Sequence, residues 1–141
     1  MAQKPNEGLP LIPIKAVAGV LQSGEHGYAI MEYECERYII PLLERMGAQF
    51  YIEVRGDSMM PTYKPGDILG YRAVPLNDIF FQWNKVYLCV TKQEPLLKRV
   101  KKGSDNDHIM LVSDNDFYEP FEIHRTQLLA VAIVVGRIGV E

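Results

Sequence analysis

The chain has 141 residues, a length that suits one domain with a buried core. Hydrophobic residues make up 48% and charged residues 23%, which is ordinary for a soluble globular domain. The formal net charge is −3, which argues against this chain alone binding a phosphate backbone, since that task needs clustered Lys and Arg. The one dense basic cluster, Lys98–Lys102, is interpreted as an exposed strand end.

Cysteine spacing and apolar run lengths predict the compartment. Cys35 and Cys89 do not form a Cys-x-x-Cys pair, so we expect free thiols in a reducing cytoplasm. No positively charged start precedes an apolar stretch, which predicts that there is no signal peptide. The longest apolar run, Leu128–Val135, is far shorter than the ~20 residues that span a bilayer. We therefore expect a cytoplasmic protein without membrane association, cofactor or metal site.

The first part of the chain divides into an arm and the start of a domain. Residues 1–11 are predicted to be a flexible arm or linker remnant, and residues 12–141 the folded domain. Leu9–Ile14 alternates prolines with large aliphatic residues, which predicts an extended segment. The small residues of Ala16–Leu21 favour, by themselves, an edge strand with a glycine bulge. They would also suit a peptidase cleft, where the scissile backbone must approach the nucleophile closely.

Short strands are predicted for most of the remaining chain. Tyr28–Arg37 is interpreted as a short helix or an irregular connection, and Leu42–Met46 as a short helical turn. The predicted strands are Tyr38–Pro41, Phe50–Arg55, Ile68–Arg72, Lys85–Thr91, Leu96–Lys102, His108–Ser113, Phe117–Ile123 and Leu128–Gly136. The sum is a mainly β domain with few short helical turns. The tetrapeptide Ser-Asp-Asn-Asp recurs at Ser104 and Ser113 and is explained by two hairpin turns.

An aromatic group lies in the loop 75–82 and just beyond it. Phe80 and Phe81 are consecutive there, and Trp83 follows. Burial in the core is slightly preferred over an exposed docking patch.

The most informative stretch is Val54–Leu69, with the sequence VRGDSMMPTYKPGDIL. A β-prone run leads into Gly56, and Ser58 follows on a tight connection that Pro61 keeps from becoming a helix. This placement presents a hydroxyl and allows a backbone N–H to face a substrate carbonyl, as a nucleophile requires. Gly56, Met59 and Pro61 are expected to shape the surrounding cleft.

A serine at neutral pH needs a base to become a nucleophile. The three histidines stand in no recognisable triad context: His26, His108 and His124. The pattern G-x-S-x-G fails because Met60 occupies its last position, and S-x-x-K fails at every serine. A lysine elsewhere in the chain is therefore the remaining candidate.

Lys98 is that candidate. It follows two leucines in EPLLKRVKK and shares a strand face with Leu96 and Val100, because side chains alternate along a strand. Burial on an apolar face disfavours the ammonium and lowers the pKa of a lysine. A neutral amine is a competent general base near pH 7.

The serine and lysine blocks together resemble a known family. GDSMMPT with PGDIL around Ser58, and LKRVKK around Lys98 forty residues later, are similar to the serine–lysine self-cleaving family of LexA, the lambda-type phage repressors, UmuD and the type I signal peptidases. The stretch HIMLVSDNDFYEPFEI resembles that family's next hairpin, and Ala18-Gly19 resembles its self-cleavage dipeptide. The resemblance extends over about Ile12–Val140.

The resemblance implies a fold and a set of roles. The fold would be the LexA C-terminal or signal-peptidase-like β-ribbon domain. Ser58 would be the nucleophile, Lys98 the base, and Ala18–Gly19 the scissile bond. The backbone N–H of Ser58, with that of Asp57, would stabilise the oxyanion. The Asp57 side chain is expected to point away from Ser58 and to bond the backbone of the turn.

The resemblance also implies a function. The domain would dimerise a bacterial or prophage transcriptional repressor of the SOS type and inactivate it on cleavage, with a RecA-type filament or an antirepressor as partner. DNA binding would belong to an upstream helix-turn-helix domain absent from this chain. One alternative is a UmuD-like polymerase accessory protein. The other is a non-proteolytic dimerisation and partner-binding module with an idle dyad.

Overall fold

The computed structural model describes residues 7–22, 30, 33–77, 79–139 and 141. The elements, in chain order, are β1 (Leu9–Pro10), α1 (Ile14–Gln22), β2 (Arg37–Tyr38), α2 (Pro41–Arg45), β3 (Phe50–Glu53), β4 (Ile68–Val74), β5 (Val86–Val90), β6 (Pro95–Lys102), β7 (His108–Val112), β8 (Phe121–His124), a 3₁₀ turn (Arg125–Gln127) and β9 (Ala130–Ile138). Most of the arm predicted for residues 1–11, and part of the segment 28–37, lie outside the described residues.

Seven strands form one antiparallel sheet with the order β3-β4-β9-β5-β6-β7-β8. β1 and β2 form a separate two-stranded pair, and an isolated parallel bridge from Leu11 to Tyr51 joins that pair to β3. The prediction of a mainly β domain with few short helical turns is confirmed.

The sheet has a core on each face. All five residues of β5 are buried, and their side chains alternate between two apolar clusters. Leu88 packs with α1 and with β3, whereas Tyr87 and Cys89 pack with β6, β7 and β9. Because β6 pairs with β5, its side chains are divided between the same two faces.

The segment Ala16–Leu21 is helical, so the prediction of an edge strand is wrong. Val17 and Val20 are buried, and Ile14 and Leu21 pack against the same cluster. This spacing of three and four residues places one apolar stripe against the sheet, and burying that stripe outweighs the weak helix propensity of the short segment.

Two further predictions need correction. β8 begins at Phe121 rather than at residue 117, because Pro120 cannot donate a ladder hydrogen bond. Phe81 is buried as preferred, but its neighbour Phe80 is 91% exposed. Of the helices that the structure describes, none has the length and apolar character needed to cross a bilayer.

Candidate active site

The serine turn follows the end of β3. Gly56 has a φ of +74°, and a Cβ built there would meet nothing within 4 Å. The position therefore favours glycine for its left-handed backbone and not for close packing within the chain. Ser58 follows two residues later, half-buried, and the Met60–Pro61 peptide beyond it is cis.

Lys98 lies in the middle of β6 and is only 9% exposed. Its Nζ donates to the Oγ of Ser113 over 2.7 Å. Burial lowers the pKa of the amine, and the negative charge of Glu94 partly opposes this shift. The strand thus carries a lysine whose neutral form is favoured relative to that of an exposed lysine.

Ser58 and Lys98 face the same open cleft, which has a volume of about 370 Å³. Most of its lining residues come from β3, the turn that follows β3 and the first half of β6. The lining residues are Ile14, Ile52, Glu53, Val54, Arg55, Ser58, Met59, Tyr71, Leu88, Glu94, Pro95, Leu96, Leu97 and Lys98. Of the three residues predicted to shape the cleft, Met59 is among those that line it, whereas Gly56 and Pro61 are not.

The backbone of the serine turn offers hydrogen-bond donors. Within the described chain, the N–H groups of Asp57 and Ser58 donate to no acceptor. The carbonyl of Asp57, by contrast, accepts from the backbone N–H of Met60 and from Asn115 Nδ2, each at 3.1 Å. An oxyanion site requires N–H donors without an acceptor inside the protein, and both groups meet that condition within the described chain.

The Asp57 side chain has a different partner from the one expected. Its Oδ1 accepts a hydrogen bond of 2.6 Å from the hydroxyl of Tyr118, and not from the backbone of its own turn. The hydrogen bond to this carboxylate raises the pKa of the Tyr118 phenol. Asp57 therefore ties the serine turn to the loop that follows β7.

Ser113 is the functional residue that the sequence analysis missed. It is 6% exposed and accepts the hydrogen bond from the Lys98 amine. In the sequence, its tetrapeptide resembles a second copy of the turn at Ser104. The available signal was the position of Ser113 directly after a strand that returns beside the lysine strand, which the turn motif obscured.

An ion pair next to Lys98 joins the same elements. Arg99 donates from Nε and Nη2 to the carboxylate of Asp114 at 2.8 and 2.6 Å. Asp114 also accepts from the hydroxyl of Thr62 in the serine turn. The Arg99 guanidinium holds the pKa of the Asp114 carboxyl below its usual range, so the pair stays charged.

The candidate scissile bond lies in α1. Ala18 is half-buried, Gly19 is exposed, and the Ala18 carbonyl accepts a hydrogen bond of 3.0 Å from Gln22 Nε2. Ile14, at the start of the helix, lines the cleft of Ser58 and Lys98. The dipeptide is thus in a helical segment that begins beside the cleft, and not in an extended segment within it.

Ionisable residues elsewhere do not form a metal centre in the part of the chain described. No group of three or more His, Cys, Asp or Glu side chains there is arranged to hold an ion. Cys35 is half-buried and Cys89 is fully buried, and both are free thiols.

A mainly β sheet brings a turn serine and a buried lysine to one cleft. The chain belongs to the Peptidase S24-like family, whose profile matches residues 11–137. This is the family of LexA, UmuD and the phage repressors. No curated protein matches the chain.

Proposed function

We propose that this domain cleaves its own chain between Ala18 and Gly19, with Ser58 as nucleophile and Lys98 as general base. The observation that carries the proposal is the buried amine with a lowered pKa in the cleft that also contains the serine hydroxyl. An exposed lysine would be almost fully protonated at neutral pH and could not accept the serine proton.

The amine geometry allows the base role. A neutral amine has two N–H groups and one lone pair. Donation to Ser113 engages one N–H group and leaves the lone pair able to accept the proton of the Ser58 hydroxyl. The Ser58 oxygen then attacks the carbonyl carbon of Ala18, and the oxyanion accepts from the N–H groups of Ser58 and Asp57.

Transfer of the serine proton to the leaving group completes the cleavage step. The protonated amine of Lys98 delivers it to the nitrogen of Gly19, the peptide bond breaks, and Ala18 remains as an ester on Ser58. Water, activated by the neutral amine, hydrolyses that ester and releases the serine. Because the substrate segment belongs to the same chain, docking makes the attack effectively unimolecular.

Family membership supports a regulatory use of this reaction. We propose that the domain dimerises a transcriptional repressor of bacterial or prophage origin and that cleavage separates the dimerising part from the DNA-binding part. Two linked binding units gain from effective concentration, and one cut removes that gain. A RecA-type filament or an antirepressor would act by favouring or blocking the docking of residues 14–22.

Mass spectrometry of the purified chain at about pH 10 tests the proposal, since the lowered pKa of the buried amine leaves more of it neutral there than in an exposed lysine. We expect two products, residues 1–18 and 19–141, and a rate that rises as pH passes the pKa of Lys98. Ser58→Ala should stay intact under the same conditions. Ser104→Ala, at an exposed hairpin serine, is the matched control and should cleave like the wild type.

A second candidate function is a binding module with an idle dyad. The observation that favours it is that Ala18–Gly19 is helical and that Lys98 donates to Ser113. The same experiment separates the two, because an idle module stays intact after prolonged incubation at about pH 10. Cleavage of the Ser58→Ala variant at Ala18–Gly19 would reject Ser58 as the nucleophile.

A further inference from the structure

One loop contacts both halves of the proposed dyad. This β7–β8 loop, residues 113–120, connects β7 to β8. Its first two residues, Ser113 and Asp114, bind Lys98 and Arg99 on the base strand. Its next residues bind the serine turn, which lies more than fifty positions away in the sequence.

Three hydrogen bonds join the loop to Ser58, the proposed nucleophile, and to Asp57, the residue before it. The N–H of Asn115 donates to the carbonyl of Ser58 over 3.0 Å. Asn115 Nδ2 donates to the carbonyl of Asp57 over 3.1 Å, and the hydroxyl of Tyr118 donates to Asp57 Oδ1 over 2.6 Å. Both carbonyls and the Asp57 side chain are therefore held by the same loop.

Peptide planarity gives these contacts a chemical consequence. The carbonyl of Asp57 and the N–H of Ser58 belong to one trans peptide unit and point in opposite directions. A donor that holds the carbonyl also sets the direction of that N–H. The Ser58 N–H has no acceptor in the described chain, and it is the donor that the proposed reaction directs at the oxyanion.

We propose that Asn115 and Tyr118 are positioning residues that hold the Asp57–Ser58 peptide as the oxyanion donor. This inference rests on the proposed self-cleavage. Neither side chain touches the reacting atoms. Asn115 acts through the Asp57 carbonyl, and Tyr118 acts through the Asp57 carboxylate. The two residues therefore hold the same peptide, one through the backbone of Asp57 and one through its side chain.

The β7–β8 loop also contacts Lys98, the proposed base, through Ser113 and Tyr118. Lys98 donates to Ser113, faces the charge of Glu94, and has the ring of Tyr118 at 5.8 Å from its Nζ. The other charged residues of the cleft are Glu53 and Arg55. Tyr118→Phe keeps the ring, and so it should leave the pKa of Lys98 in place while removing the hydroxyl.

Two conservative variants test the inference. Asn115→Asp keeps the Oδ1 acceptor that binds the N–H of Phe117, but it replaces the donor to the Asp57 carbonyl by an oxygen. Tyr118→Phe removes only the donor to the Asp57 side chain. Removing an oxyanion donor outright costs 10²–10³-fold, so displacing one should lower the cleavage rate on the alkaline plateau by about tenfold or more.

The pH profile separates positioning from a general loss of structure. We expect Tyr118→Phe to lower the plateau while the pH midpoint stays where it is in the wild type. Ser113→Ala removes an acceptor of the ammonium and should move the midpoint to lower pH. In the double variant Asn115→Asp/Tyr118→Phe, the loss should be smaller than the product of the single losses, because both act on one peptide.

The control is Asp116→Asn, at an exposed residue of the same loop, which should cleave like the wild type. Amide hydrogen exchange gives a readout that does not depend on activity: the N–H of Met60, which binds the Asp57 carbonyl, should exchange faster in both positioning variants. Plateau rates equal to that of the wild type would overturn the inference alone. An intact wild-type chain would overturn the proposed self-cleavage, and the inference with it.

Discussion

The serine turn and helix α1 differ in how close each is to the geometry that self-cleavage requires. The turn is held at Asp57 and Ser58 by the β7–β8 loop, and the cleft already contains a buried amine. The candidate scissile bond is helical, and its carbonyl is bound by Gln22. Since a peptidase acts on an extended backbone that can approach its nucleophile, the proposed reaction requires the helix to unwind first.

This difference indicates which part of the molecule a regulator could act on. In the proposed reaction the serine turn and Lys98 keep their positions, whereas the substrate segment must exchange its helical packing for docking in the cleft. Val17 and Val20 are buried against the sheet, and leaving that surface exposes apolar area to water. In our account, the rate of cleavage is set by the population of the unwound α1 segment.

The largest effect on the self-cleavage rate is expected from replacing Lys98, the proposed base. Lys98→Met keeps the aliphatic stem but removes the amine, so self-cleavage at alkaline pH should fall by at least about 100-fold. Lys102→Met, on the exposed end of the same strand, is the matched control and should retain the wild-type rate. Intact-mass measurement over time gives both rates. Rapid cleavage in Lys98→Met would reject Lys98 as the general base.

A smaller effect is expected on stability. Burial holds the pKa of Lys98 below the ordinary lysine value of about 10.4. Between the lowered value and the ordinary one, the unfolded chain binds a proton that the folded chain does not. The free energy of unfolding therefore rises with pH across that window. Its slope corresponds to a difference of at most about one bound proton between the unfolded and the folded chain.

Thermal unfolding at several alkaline pH values measures this contribution. Lys98→Met should show a flatter dependence of Tm on pH than Lys102→Met in that window, and a higher Tm at neutral pH because no buried ammonium remains. Equal slopes in the two variants would mean that the amine titrates as an exposed lysine does. Such variants should be made in a Ser58→Ala background, so that cleavage does not distort the melting curves.

Much of the sheet could be predicted because its strands are locally encoded. Apolar alternation gave β3 to β7 and β9 within a few residues, and it also indicated that Lys98 points into an apolar face. Composition and turn residues predicted that Ser58 lies on the connection that follows β3. Such patterns need only neighbouring residues, which is why they can be seen in one sequence.

The parts that could not be predicted depend on contacts distant in sequence. The apolar stripe of α1 becomes decisive only when a sheet is present to bury it, and its glycine and alanines suggested a strand instead. Asn115 and Asp57 are 58 positions apart, and no local pattern relates them. Asp57 was assigned to its own turn for the same reason, although its partner is Tyr118.

The measurement that tests the central claim most directly is the self-cleavage rate of Ala16→Gly compared with that of the wild type. Glycine is up to about 1 kcal/mol less favourable than alanine in a helix, so the unwound population, and with it the rate, should rise by up to about fivefold. Arg45→Gly, in helix α2, is the matched control and should leave the rate unchanged. A rate for Ala16→Gly that equals or falls below the wild-type rate would contradict the account, because unwinding of α1 would then not limit the reaction.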